Sequence, residues 1–157
     1  MKRGFTLIEL MVVVSISMVL GGLILVNYTN YTENQRNYQT VKTFVANLDY
    51  ARTRAITGDK PDGCSGDLEY YQVEYNDPAN SSYTLSAQCS IDSNVPIQTI
   101  KVPNTITISP SFSVQFLPVT QGTSLGGDLI ITFSFDGDPY YKVTITPSGS
   151  ILEEQIT

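Results

Sequence analysis

Two hydrophobic periodicities divide the chain. From Phe5 to Val26 apolar residues run almost without interruption, and Glu9 is the one formal charge in those 22 residues. About 20 apolar residues at 1.5 Å rise cross a ~30 Å hydrocarbon core, so residues 5–26 are expected to form a transmembrane helix. From Asn27 the texture turns polar without a helix breaker. Tyr28, Tyr31, Tyr38, Val41, Phe44, Val45, Leu48, Ala51 and Ala55 nevertheless recur at three- and four-residue steps, which continues one apolar stripe down an amphipathic helix over 27–58. Gly58 is placed to cap its C-terminus. The prediction is a single helix of about 50 residues whose last turns offer a stripe for a globular head. Gly21-Gly22 is its weak place, each Gly costing about 1 kcal/mol against Ala.

After Gly58 the period changes to two. Leu68–Tyr75 and Tyr83–Cys89 read as a hairpin across a turn rich in Asn, Asp, Pro and Ser. Further strands are expected at 97–102, 105–109, 113–117, 129–135, 140–146 and 150–153, with Gly126-Gly127-Asp128, Asp136-Gly137-Asp138-Pro139 and Pro147-Ser148-Gly149 between the later ones. The fold class is α+β: a long N-terminal transmembrane and amphipathic helix packed against an antiparallel β-sheet head over 59–157.

Charge and composition narrow the chemistry. Lys2 and Arg3 precede the apolar run, so the positive-inside bias keeps the N-terminus cytoplasmic and exports the rest. The run exceeds the 7–15 apolar residues of an ordinary secretory signal, and no small-residue cleavage site follows it. With 9 Lys+Arg against 15 Asp+Glu the chain is acidic, which argues against nucleic-acid backbone binding. Histidine is absent, and with it histidine metal sites, His general bases and Ser-His-Asp triads, so no catalytic residue is assigned. Asp59, Asp62, Asp67 and Glu69 gather near one turn and Asp136-Gly137-Asp138 lies in another. Neither has the spacing of a calcium loop, so no metal site or cofactor is assigned. Cys64 and Cys89 follow the exported helix and are expected to form a disulfide, the alternative being two free thiols.

Glu9 needs explaining, because a lone acid within a spanning helix costs roughly 2.5–3.5 kcal/mol. Gly4 followed by Phe5-Thr6-Leu7-Ile8-Glu9-Leu10, behind a basic leader and before an apolar helix, resembles the class III signal of type IV pilins and type II secretion pseudopilins. The resemblance implies that prepilin peptidase removes residues 1–4 at the cytoplasmic face by cutting between Gly4 and Phe5. It also implies N-methylation of the new Phe5 amine. That amine, on a neighbouring subunit, would be the partner of the Glu9 carboxylate and set the register of a filament. In a plain signal anchor Glu9 would instead snorkel or take up a proton.

Residues 47–56, Asn-Leu-Asp-Tyr-Ala-Arg-Thr-Arg-Ala-Ile, resemble the segment that closes the long helix in GspH/FimT-like minor pilins and H-type pseudopilins. Ile145 to Ile151 is similar to the Gly-bearing turn near the end of their β-rich heads. The function implied is that of a minor structural subunit of a type IV pilus or a type II secretion pseudopilus. The alternatives are a major pilin and, against the acidic C-terminus, a DNA-uptake minor pilin. The implied partners are other pilin or pseudopilin subunits, prepilin peptidase, an inner-membrane platform protein, an assembly ATPase and the membrane. Removing Lys2 and Arg3 with the leader would leave 7 cations against 15 acids and move the balance from −6 to −8.

Overall fold

A computed structural model of the chain describes residues 6–76, 81–91, 94–119, 122–135 and 138–156, with backbone alone at 21–30 and 138–139. Gly4 and Phe5 lie outside the described residues. The chain divides into two compact units, Met1–Tyr38 and Gln39–Thr157.

One helix, α1, runs from Leu7 to Thr57, 51 residues, and its backbone passes through Gly21-Gly22 as helix. Its end is a Schellman turn. Gly58, at φ 63°, donates its N–H to the Ala55 carbonyl (3.1 Å) and Asp59 donates to that of Arg54 (3.1 Å), so the predicted glycine cap is present. Among the described residues no helix is long and apolar enough to cross a membrane. The side chains of 21–30, which include the end of the apolar run, are outside that description.

Eight strands follow in the second unit: β1 Leu68–Tyr75, β2 Ser82–Cys89, β3 Val95–Lys101, β4 Ile106–Ser109, β5 Phe112–Phe116, β6 Leu129–Phe135, β7 Asp138–Ile145 and β8 Ile151–Gln155. Every expected strand is found, its ends displaced by at most two residues. They form two four-stranded antiparallel sheets, β3-β2-β1-β5 and β4-β6-β7-β8, where one sheet was expected. The division falls between β4 and β5. Ser109 pairs with Thr132 of β6, whereas Phe112, three residues on, pairs with Tyr75 of β1. Pro110 between them has no N–H to continue a ladder. Which distant strand each half then joins is a long-range pairing that alternation does not encode.

Alternation along the strands turns Tyr71, Val73, Leu85, Val114 and Phe116 of the first sheet, and Ile131, Phe133, Val143 and Ile145 of the second, into a common core with Val41, Phe44, Leu48, Ala51 and Ala55 of α1. Phe44 joins the layers. Its ring meets Tyr83 of β2 (5.1 Å between centroids), Phe112 of β5 (5.8 Å) and Phe133 of β6 (5.1 Å), all edge-on. The apolar stripe of α1 therefore serves the head from Val41 onward. Tyr31 and Tyr38, assigned to the same stripe, are exposed.

Cys64 and Cys89 form the expected disulfide, which ties the loop after α1 to the end of β2. The same loop lies close against the β2 end. Asp67 N–H donates to Ser90 Oγ (2.9 Å) and Ser90 N–H to the Asp67 carbonyl (2.9 Å). Gly66 permits this approach, since a Cβ there would stand 2.2 Å from Ser90 Oγ and its φ is +85°. Of the four edge strands, β3 and β8 are blunted. β3 carries Pro96, a register shift opposite Leu85/Ser86 and an exposed Lys101, and β8 carries Glu153 and Glu154.

Candidate assembly site on the N-terminal helix

The start of α1 is a capping box built from Thr6-Leu7-Ile8-Glu9. A helix leaves its first N–H groups without intrahelical partners, and a Thr at the N-cap with a Glu three residues on can satisfy two of them reciprocally. Here Thr6 N–H donates to Glu9 Oε2 (3.0 Å), and Glu9 N–H donates to Thr6 Oγ1 (3.4 Å). The Thr6 hydroxyl also donates to Glu9 Oε2, at 2.8 Å. Glu9 is thus the third helical residue, at the end where the macrodipole favours an anion. The sequence reading placed this acid within the span and gave it only an intermolecular partner. It has an intramolecular one in Thr6, and Thr6-x-x-Glu9 was the signal for it.

Beyond the cap the surface is apolar on every side. Leu7, Ile8, Leu10, Met11, Val12, Val13, Val14, Ile16, Met18, Val19 and Leu20 are each between 44% and 76% exposed. A helix that is hydrophobic all round belongs in a membrane or in the core of an assembly, and a soluble monomer does not present such a surface to water. The two polar side chains in this stretch are satisfied within the helix. Ser15 Oγ donates to the Met11 carbonyl and Ser17 Oγ to that of Val13, each at 2.8 Å. Neither hydroxyl then has to be desolvated unpaired when the surface is covered.

The head holds few candidates for chemistry. Among the described residues no three acidic or cysteine side chains come together where a metal could be held. Of the two arginines at the end of α1, Arg54 ion-pairs with Asp59 and lies 5.1 Å from the Tyr50 ring. With Lys60, Pro61, Asp62 and Val95–Ile97, Tyr50 and Arg54 line an open groove of about 370 Å³. Two buried phenols tie the layers. Tyr71 donates to the Asp59 carbonyl (2.7 Å), and Tyr83 accepts from Asn47 Nδ2 (2.7 Å). Burial raises the ionisation of both above the ordinary tyrosine value, against a smaller lowering by Arg54 at Tyr71 and by the Asn47 hydrogen bond at Tyr83.

Residues 1–25 match the family described as the prokaryotic N-terminal methylation motif. No curated protein and no solved structure matches the chain. The matched segment covers the leader, the capping box and the exposed apolar surface of α1. It marks a type IV pilin-type protein with a class III signal, which prepilin peptidase cleaves. Such a signal implies assembly with other pilins.

Proposed function

We propose that this chain is a minor structural subunit, a minor pilin or minor pseudopilin of the GspH/FimT-like kind, in a type IV pilus or a type II secretion pseudopilus. Prepilin peptidase cuts between Gly4 and Phe5, and Phe5 becomes N-methylated. The apolar helix then holds the subunit in the inner membrane, with the N-terminus cytoplasmic and the head outside. Transfer from lipid to the filament core keeps the same surface covered throughout. A platform protein and an assembly ATPase drive that transfer, and the role is structural rather than enzymatic.

The observation that carries this reading is the exposed apolar surface from Leu7 to Leu20, within the methylation motif and on the helix that supplies the head with Phe44. The amine of a neighbouring Phe5 would compete with Thr6 for the Glu9 carboxylate, and a full positive charge is the stronger partner in low dielectric. In this scheme the capping box holds Glu9 in a defined rotamer until that amine arrives.

Shearing surface filaments from the native host, quantifying this chain by mass spectrometry and reading its N-terminus tests the proposal. A trace component beginning at methylated Phe5 is expected. A dominant component would make it a major pilin, and an intact Met1 in the membrane would overturn the assignment. Hydrolase activity in the purified chain would also count against it.

A further inference from the structure

We infer that the outer face of the β4-β6-β7-β8 sheet is a contact between two copies of this chain, formed while their helices hold them side by side. The inference rests on the assembly reading above. Register places Ile130, Thr144 and Leu152 in one row across β6, β7 and β8, and Ser109, Thr132, Lys142 and Glu154 in the next. Ile156 extends the same face, its N–H donating to the Tyr140 carbonyl. Ile130, Leu152 and Ile156 are 48%, 59% and 36% exposed. On the strands of the other sheet no large apolar side chain is exposed to that degree among the described residues. Its outer face carries Gln72, Thr84, Gln88, Ser113 and Gln115 beside a half-buried Tyr70.

Electrostatics selects the occupant. Residues 39–157 hold six Lys and Arg against thirteen Asp and Glu, a net charge of −7, so two heads repel each other at most approaches. This face is an exception. Among the described residues of its strands the charged side chains are Lys142 and Glu154, cross-strand partners 3.4 Å apart, and they cancel. They are also self-complementary, because a two-fold related copy presents its Glu154 to Lys142 and its Lys142 to Glu154.

Size decides when the contact forms. Strand spacings give the face roughly 20 Å by 15 Å, on the order of 300 Å², well below the ~800 Å² per partner of a stable interface. Free heads would not pair. Copies tethered in one membrane or filament see effective concentrations of order millimolar, at which so small a face suffices.

The test uses the full chain in membranes of a host that carries prepilin peptidase, with one added cysteine and a bismaleimide cross-linker about 10 Å long, because facing sheets lie ~10 Å apart, beyond the reach of a disulfide. Thr144→Cys or Leu152→Cys is expected to give a cross-linked dimer, and Ser113→Cys, on the other sheet, is not. Adding Lys142→Glu to Thr144→Cys should lower the dimer yield by about tenfold or more, because like charges then face each other. Adding Glu154→Lys as well should restore it. A yield at Thr144 no higher than at Ser113, or one indifferent to Lys142→Glu, overturns the inference. If those results come from processed chain in the membrane fraction, the subunit reading is untouched. Chain found unprocessed and soluble would overturn both.

Discussion

Glu9 and Thr6 exchange their hydrogen bonds within one helical turn: the Thr6 amide and hydroxyl both donate to Glu9 Oε2, and the Thr6 hydroxyl oxygen accepts from the Glu9 amide. This separates two duties of Glu9 that a filament subunit would otherwise confound. Glu9→Gln keeps an acceptor for the Thr6 amide, since Gln serves a capping box as Glu does. It removes the charge that a neighbouring Phe5 amine would need. The expected outcome is a helix start that exchanges amide hydrogens as in wild type, in a subunit that is processed and yet missing from sheared filaments. Normal incorporation of Glu9→Gln would mean that capping is the whole role of the residue.

Thr6→Val is the converse change. It removes the cap and leaves the carboxylate charged, at a cost of about 1 kcal/mol at the helix start. Amide exchange at Leu7–Leu10 in detergent-solubilised chain should quicken by about fivefold, while the head is unaffected. Unchanged exchange there would show that the box contributes nothing to the helix start.

Phe44 is fully buried and its ring touches both sheets. Phe44→Ala should destabilise the head by about 3–5 kcal/mol, read as a lower denaturant midpoint of the full chain. A loss below about 1 kcal/mol would mean that the sheets hold together without it.

The Cys64–Cys89 bridge closes a separation of 25 residues between the loop after α1 and the end of β2. Replacing both by Ser should cost about 3–4 kcal/mol on the chain-entropy estimate, with the filament role lost only as far as the head unfolds. The check is the denaturant midpoint with and without the bridge. Equal midpoints would place the hold on this loop in the Asp67–Ser90 hydrogen bonds instead.

Tyr83 and Tyr71 have their ionisation raised chiefly by burial. A folded value above the unfolded one means that the folded state holds its proton more tightly. The stability tied to these phenols is therefore complete below the ordinary tyrosine value near 10 and is lost as pH rises from there through the folded values. Thermal midpoints should be insensitive to these groups around neutrality and fall above about pH 10, with a late fraction of the tyrosinate absorbance appearing only on unfolding. Tyr83→Phe should reduce the alkaline loss while leaving Asn47 without its partner. An alkaline loss unchanged in Tyr83→Phe would rule out Tyr83 as its source.

Local rules sufficed for much of this protein. The unbroken helix, its glycine cap, the eight strands and the disulfide all follow from period, turn residues and exported cysteines, because each depends on neighbours in sequence or on compartment. The capping box was equally local. Within an apolar run Glu9 stands out as a charge in lipid, which hides its place as the third residue of a helix. Only the tertiary structure decided that β4 and β5, two residues apart, part into different sheets, that the stripe of α1 becomes core at Val41 and leaves Tyr31 and Tyr38 outside, and that Ile130 and Leu152 share one exposed row. Each of these depends on which distant strand lies alongside. The sequence alone determined which elements form and how the N-terminus is marked. Pairing partners, and hence the faces left uncovered, were settled by packing, since a strand's alternation says that it has an inner side without saying against what.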